Sequence, residues 1–226
     1  MNKSYRYLTA IGIFFVAVLL ISNVASTKIV DLKWFVFDAG TLLFPLSYIF
    51  GDILTEVYGY KKSRSIIWLG FLSALLMSLV FIIVGALPPA SDWPYQEAYQ
   101  QILGLTPRIV LASLVAYLVG EFLNSYTLAK LKVKTQGRHL WARFLGSTVV
   151  GQLADTVIFV LIAFTGIFPQ TLLVTIIISN YIFKLAIEVV LLPATYKATT
   201  WLKRKENEDY YDSSTNFNPF AFIRRR

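Results

Sequence analysis

Apolar residues follow one another in long runs along most of this chain, and polar residues gather in the short segments between the runs. Each run exceeds the roughly 4–8 residues of a buried strand and approaches the roughly 20 apolar residues that a helix needs to cross a bilayer. The pattern therefore predicts an all-α, polytopic membrane protein with about six transmembrane helices. The runs lie at residues 8–24, 41–58, 66–87, 109–128, 144–168 and 172–192.

The first run has two interpretations. Lys3 and Arg6 precede it and the small residues Ala25 and Ser26 follow it, as in a secretory signal peptide. However, the run is longer than the roughly 7–15 apolar residues of such a peptide, and more apolar runs follow. We therefore interpret it as an uncleaved first membrane span.

The segments between the runs differ in kind. Residues 28–40 mix charged and aromatic side chains, which indicates a connector at the membrane interface. Residues 88–94 contain three prolines and form a predicted loop, and residues 95–105 follow as a short surface helix. We expect residues 1–202 to form a transmembrane domain and residues 203–226 to form a polar, disordered cytoplasmic tail.

Composition favours a membrane protein over a soluble one. Hydrophobic residues make up 56% of the 226 residues and charged residues 15%, whereas soluble domains have roughly 45–50% and 25%. Disorder of the whole chain would need the opposite shift. Because the chain has no cysteine and a single histidine, we expect no disulfide, no metal site and no cofactor.

The net charge of +8 is explained by where the basic residues lie. With six spans, successive connectors alternate between the two membrane faces, and most Lys and Arg residues fall on one face. Cytoplasmic connectors carry such an excess, so we expect both termini in the cytoplasm. The charge gives no reason to expect a nucleic-acid partner, and the lipid bilayer is the expected partner. The basic residues of this face are Lys3, Arg6, Lys61, Lys62, Arg64, those of residues 130–143, and residues 203–205.

Several charged and amide side chains interrupt the apolar runs, although each ion inside a span costs roughly 2.5–3.5 kcal/mol. Such side chains usually face a bundle interior or a water-filled cavity. Spacings of three, four or eight residues place them on shared helix faces, so we expect several spans to line one polar cavity. The candidates are Asn23 in the first run, Tyr48, Asp52 and Glu56 in the second, Glu121 and Asn124 in the fourth, Gln152 and Asp155 in the fifth, and Asn180, Lys184 and Glu188 in the sixth.

Structural roles are the alternative for some of these residues. Glu56 and Glu121 lie near the ends of their runs and suit the membrane interface. Lys184 and Glu188 could form a structural pair one helical turn apart, and Asn23 could form an interhelical hydrogen bond. The chain has no P-loop pattern, and its single histidine lies in a connector, so the sequence indicates no enzyme.

Four short motifs coincide with these polar positions. They are DILTEVYG at residues 52–59, GEFLNS at 120–125, GQLADT at 151–156, and NYIFK at 180–184 followed by Glu188 and Pro193. In this order and spacing the motifs resemble the queuosine precursor transporter family, also called the VUT family. The resemblance implies a six-helix protein of the inner membrane. It also implies import of 7-deazaguanine compounds, namely the nitrile and aminomethyl precursors or queuine, for queuosine modification of tRNA.

The resemblance leaves the energy source open. The family is similar to the substrate-binding subunits of energy-coupling-factor vitamin importers. The alternative function is therefore a substrate-binding membrane subunit of such an importer, which depends on an ATPase partner as its energising subunit. A membrane scaffold without transport activity is a third interpretation, and the number of charges inside the runs argues against it.

A 7-deazaguanine suits the predicted polar residues. Its N1–H and 2-amino groups lie side by side, and one carboxylate can accept both hydrogen bonds. On this hypothesis Asp155 or Asp52 binds that edge, and an aromatic ring stacks on the flat base. The remaining assignments place Glu56 and Glu188 on cationic groups, Asn180 and Lys184 on the carbonyl, and Tyr48 or Phe183 as the stacking ring, with Gln152 and Asn23 also in the substrate-binding set.

Overall fold

The computed structural model describes residues 4–25, 28–31, 36–103, 107–166 and 169–221. These residues form seven α-helices, one short antiparallel ribbon and a 3-10 turn at Ala39–Leu42. The ribbon pairs β1 (Ile29–Asp31) with β2 (Val36–Asp38) and lies in the predicted interfacial connector. The helices are α1 (Leu8–Ala25), α2 (Phe44–Tyr58), α3 (Tyr60–Ala86), α4 (Gln96–Leu103), α5 (Pro107–Lys134), α6 (Leu140–Phe164) and α7 (Gln170–Glu206).

Four of the helices, α1, α3, α6 and most of α7, are long and apolar enough to cross a membrane. Many of their large apolar side chains lie on the outside of the bundle; Leu76 and Ile83 of α3 are 63% and 61% exposed. Soluble monomers rarely expose an apolar surface of this extent, whereas lipid covers it in a bilayer. The structure therefore confirms a polytopic, helical membrane protein.

The helix α2 is short and lies inside the bundle. Its 15 residues span about 22 Å at 1.5 Å per residue, less than the roughly 30 Å of the hydrocarbon core. It packs against α1, α3, α5 and α7, and most of its side chains are buried. Pro45 occupies its first turn, where proline removes no intrahelical hydrogen bond. Gly59, with a φ of +85°, then turns the chain directly into α3.

The predicted helices are present, but several ends lie elsewhere. The second run begins with the 3-10 turn, so α2 starts at Phe44 rather than at residue 41. The helices α3, α5 and α6 each extend into the basic residues that we assigned to connectors, because backbone hydrogen bonding continues past the apolar runs. The predicted surface helix is confirmed as α4, which has no buried residue.

The end of the chain differs most from the prediction. α7 does not stop near Pro193 but continues through it to Glu206, since membrane helices tolerate proline where neighbouring groups satisfy the backbone. Residues 207–221 do not match the expected disorder, because they lie against the ends of α2, α3 and α5. The Arg64 guanidinium alone donates to the carbonyls of Asn216, Asn218 and Ala221, at 3.0, 2.5 and 2.9 Å.

Candidate functional site

Four helices bring polar side chains together inside the bundle, in a group that we call the polar centre. Every member except one is at most 4% exposed; the exception is Lys184, whose side chain is 12% exposed. The structure therefore unites six residues of the predicted site with two further polar residues of α5. The polar centre consists of Tyr48 and Asp52 from α2, Glu121 and Asn124 from α5, Gln152 and Asp155 from α6, and Lys184 and Glu188 from α7.

Hydrogen bonds join these helices in pairs. The Asn124 amide nitrogen donates to Asp52 Oδ1 at 2.7 Å, which connects α5 to α2. The Thr148 hydroxyl donates to Glu188 Oε1, which connects α6 to α7. Each carboxylate thus has a neutral donor, and neither Asp52 nor Glu188 forms an ion pair within the described part of the chain.

Asp155 is neutralised by a cation. Lys184 Nζ lies 2.7 Å from Asp155 Oδ2 and connects α7 to α6. The same ammonium group lies 4.7 Å from the centre of the Phe44 ring, within the range of a cation–π contact. Pairing lowers the cost of burying both charges, so the helices can hold this pair in the interior.

Many polar atoms of this region have no hydrogen-bond partner among the described residues. More than nine in ten buried polar groups normally have one. A cluster of unpartnered polar atoms therefore marks a candidate ligand-binding site. Gln152 lies beside Glu188, yet both ends of its amide are unpartnered. The unpartnered atoms are Tyr48 Oη, Tyr117 Oη, both carboxylate oxygens of Glu121, Asn124 Oδ1, Gln152 Oε1 and Nε2, Thr156 Oγ1 and Glu188 Oε2.

Two glycines let α5 and α6 approach closely beside the polar centre. A Cβ on Gly120 would lie 2.5 Å from Tyr48 Oη and 3.0 Å from the Gly151 carbonyl oxygen, and a Cβ on Gly151 would lie 2.9 Å from the Gly120 carbonyl oxygen. Small residues permit such contact between membrane helices. The glycines thereby fix the distance between α5 and α6 where both helices meet the Tyr48 ring.

Glu56 lies in a different group, which we call the basic cluster. Its Oε1 atom accepts hydrogen bonds from Arg143 at 2.5 Å and from Lys203 at 2.6 Å, and Lys132 Nζ lies 3.6 Å away. These cations come from the ends of α5, α6 and α7 and neutralise the carboxylate through Oε1. The geometry therefore favours the structural alternative for Glu56 over contact with a cationic substrate.

The basic cluster extends to Asp209 in the chain after α7. Lys132 Nζ lies 2.5 Å and Lys203 Nζ 2.9 Å from Asp209 Oδ1. Burial lowers the pKa of Lys132, and the negative charge of Glu56 offsets part of that effect. Burial alone would raise the pKa of Asp209, but hydrogen bonds from Lys132 and Lys203 hold it below its ordinary value.

Three predicted residues lie outside both groups. The Asn23 amide donates to the Leu19 carbonyl of its own helix at 3.0 Å. Asn180 and Phe183 are half-buried on α7, near Lys184 in sequence. Conversely, Glu121 and Asn124 were not among the substrate-binding assignments, although their spacing in GEFLNS marked a polar helix face. Among the described residues, no three Asp, Glu or His side chains are grouped to hold a metal ion.

Comparison with known proteins identifies relatives over most of the chain. Residues 38–198 match the family described as "Putative vitamin uptake transporter". The "Probable queuosine precursor transporter" of Bacillus subtilis is 35% identical over 188 residues, which cover 82% of this chain and 81% of that protein. The "Queuosine precursor transporter" of Escherichia coli is 27% identical over 192 residues, 84% of each chain. No solved structure shows significant similarity. The chain therefore belongs to the vitamin uptake transporter family.

Proposed function

We propose that this chain is a membrane transporter that imports queuosine precursors, the 7-deazaguanine compounds from which bacteria make the queuosine of tRNA. Family membership makes it a transporter rather than an enzyme. Two relatives that match more than four-fifths of the chain are named for this substrate. The observation that carries the proposal within the molecule is the polar centre, with its unpartnered donors and acceptors inside an apolar bundle.

The polar centre offers the groups that a 7-deazaguanine needs. Asp52 or Asp155 accepts the adjacent N–H donors of the base, and Glu188 attracts the cationic group of the aminomethyl precursor. Gln152 and Lys184 donate to the carbonyl oxygen, and the buried Tyr48 ring stacks on the base. Asn180 and Phe183 are additional contacts from α7 in this proposal.

We further propose six membrane spans, with both termini in the cytoplasm and the whole protein in the inner membrane. Five are formed by α1, α3, α5, α6 and α7, and the second is formed by α2 together with the 3-10 turn before it, which adds about 2 Å per residue. Contacts between the two ends of the chain support termini on one face. The Tyr5 hydroxyl donates to Glu208 Oε2 at 2.7 Å, and the backbone N–H of Tyr7 donates to Glu206 Oε1 at 2.6 Å. Residues 1–202 form the transmembrane domain in this arrangement, and residues 203–226 lie on the cytoplasmic side. Reporter fusions at each terminus test it, and opposite locations would contradict six spans.

Complementation tests the transport function. The chain is expressed in a bacterium that can neither make queuosine precursors nor import them, and queuosine is measured in tRNA after each precursor is supplied. We expect the wild type and Glu97→Ala, a change on the exposed helix α4, to restore queuosine. Asp155→Ala should restore little queuosine for each unit of protein found in the membrane, because Lys184 loses its counter-ion and the base loses an acceptor.

Two results would contradict this proposal. Failure of the wild type with every precursor would reject queuosine precursors as the substrate. Normal queuosine with Asp155→Ala would remove Asp155 from the binding site while leaving the function in place.

The alternative function is a substrate-binding subunit that depends on an energising ATPase partner. It is considered because the chain has no P-loop pattern of its own and its family is described by vitamin uptake. Complementation with and without the host's energy-coupling-factor subunits distinguishes this alternative from a transporter that works without an ATPase partner. Uptake that needs those subunits would favour the alternative.

A further inference from the structure

Glu121 is the least compensated charge-bearing side chain of the polar centre. It is 0% exposed, and neither carboxylate oxygen has a hydrogen-bond partner among the described residues. Its carboxyl group lies directly on Gly51 of α2, where a Cβ would overlap Glu121 Oε1. The group therefore points into the packed helix interface rather than toward solvent.

The groups that face Glu121 do not neutralise it. Among the described residues, the titratable groups within electrostatic range of it are Asp52 on α2, Asp155 on α6, Glu188 on α7, and the neutral phenols of Tyr48 and Tyr117. The one cation of the polar centre, Lys184, is already paired with Asp155. Ionisation of all four acids would leave three negative charges uncompensated inside an apolar bundle.

An unpaired carboxylate in such a place is strongly disfavoured. The effective cost of burying one ion is several kcal/mol even after relaxation, and a group in this position loses its charge instead. A carboxyl group that carries a proton packs against the α2 backbone without that cost. It regains a charge only when the helices part and water or a cation reaches it.

We propose that Glu121 is a proton-binding site that couples import to the proton gradient, with one proton bound and released for each precursor carried. The inference rests on the proposed transport function and adds its energy source. A proton fits this site better than a metal ion. The acids around Glu121 lie within electrostatic range, but no three acidic or histidine side chains of the described residues are close enough together to hold one metal ion. Protonated Glu121 permits the packed arrangement of α2 against α5, and loss of the proton favours an open one.

Purified protein in lipid vesicles separates coupling from binding. Exchange of labelled precursor across the membrane without a gradient measures substrate translocation alone. Accumulation is then measured with a pH gradient of about one unit, alkaline inside, which can support about a tenfold concentration ratio for one coupled proton. Glu121→Gln keeps the shape of the protonated side chain but cannot release the proton. Glu97→Gln on the exposed helix α4 is the matched control.

We expect the wild type and Glu97→Gln to accumulate precursor several-fold and to lose accumulation when a protonophore is added. At whatever rate of exchange it retains, Glu121→Gln should give no accumulation above the ratio reached without a gradient. Equal accumulation by the wild type with and without the pH gradient, or full accumulation by Glu121→Gln, would overturn the coupling role.

A measurement without substrate keeps the two proposals apart. Infrared spectra of the wild type at neutral pH should contain the carbonyl band of a buried protonated carboxyl group, and Glu121→Gln should lack that contribution. Identical carboxyl bands in both proteins would refute the proton site even if transport is normal. Conversely, a wild type that shows the band but exchanges no precursor would reject the transport function, and with it the coupling, while placing the proton on Glu121.

Discussion

Gly120 sets the closest approach of α5 and α6 beside Tyr48. In Gly120→Ala the added methyl group would meet Tyr48 Oη at 2.5 Å and the Asp155 Cβ at 2.7 Å. Because neither neighbour is the end of a long flexible side chain, we expect a destabilisation of about 1–3 kcal/mol, the usual cost of overpacking a core. Thermal unfolding of the purified protein in detergent measures this change.

Gly85→Ala is the control for this substitution. Among the described residues its Cβ would meet the Tyr99 ring alone, at an ordinary contact distance of 3.4 Å. Its unfolding temperature should stay close to that of the wild type. Equal unfolding temperatures for Gly120→Ala and Gly85→Ala would mean that the helices separate at Gly120 without cost.

The ion pair between Lys184 and Asp155 gives a second prediction at the residue scale. Asp155→Asn leaves a buried ammonium without a counter-ion, and Lys184→Met leaves a buried carboxylate, so each should cost about 3–5 kcal/mol. The double variant removes both charges and should cost less than the sum of the single changes. Unfolding free energies of the four proteins form a double-mutant cycle, and additive values would show that the pair is not coupled.

Residue spacing predicted part of the site. Helical periodicity placed Tyr48 and Asp52 on one face of α2, and the structure places both in the polar centre. The same periodicity grouped Glu56 with Asp52, but one turn further along the helix Glu56 meets Arg143 and Lys203 instead. Spacing within one helix gives no information about which distant cation reaches a side chain, so the two groups could not be separated from sequence.

At the scale of elements, Glu56 is the common partner of three segments. Arg143 lies in the first turn of α6, Lys132 near the end of α5 and Lys203 near the end of α7. Among the described residues, Glu56→Gln would leave Lys132 and Lys203 with only the half-exposed Asp209 as an acidic partner and Arg143 with none. We therefore expect a loss of about 3–5 kcal/mol in unfolding free energy.

The exposed substitution Glu97→Gln should change the unfolding free energy by less than about 0.5 kcal/mol, as surface changes usually do. The double variant Glu56→Gln, Lys203→Met should recover part of the loss, because one unpaired cation is removed. Unfolding of Glu56→Gln at the wild-type temperature would show that the basic cluster does not hold α2, α5, α6 and α7 together.

Hydropathy predicted which segments become helices but not where they end. Apolar runs report the part of a helix that lipid or the bundle covers, whereas α5 and α7 continue into lysine-rich sequence. Lys132 and Arg143 were interpreted as markers of a cytoplasmic connector, yet both are 1% exposed and bind acids. Charge counting cannot distinguish a solvated basic residue from one whose partner lies elsewhere in the chain.

At the scale of the whole molecule, the segment after α7 joins helices that are distant in sequence. The Asp212 carboxylate accepts the first backbone N–H of α3, from Tyr60, at 3.0 Å, and Trp68 Nε1 donates to the Pro219 carbonyl at 2.9 Å. Gly59 and Gly137 leave room for the rings of Tyr210 and Tyr211, since a Cβ on either glycine would overlap them. The polar composition of this segment predicts disorder. Composition alone does not show that the segment has hydrogen-bond partners in the bundle.

Removal of residues 208–226 tests whether this segment stabilises the bundle. Arg64 is 5% exposed and would lose all three tail carbonyls, while Lys132 would lose Asp209. A buried charge left without its partners costs about 3–5 kcal/mol, which corresponds to a fall of roughly 10 °C in unfolding temperature for a chain of this length. The matched control ends at Ala221, which keeps every tail contact described above and should unfold at the wild-type temperature. If the longer deletion also unfolds there, the tail rests on the bundle without stabilising it, and Arg64 must find other partners.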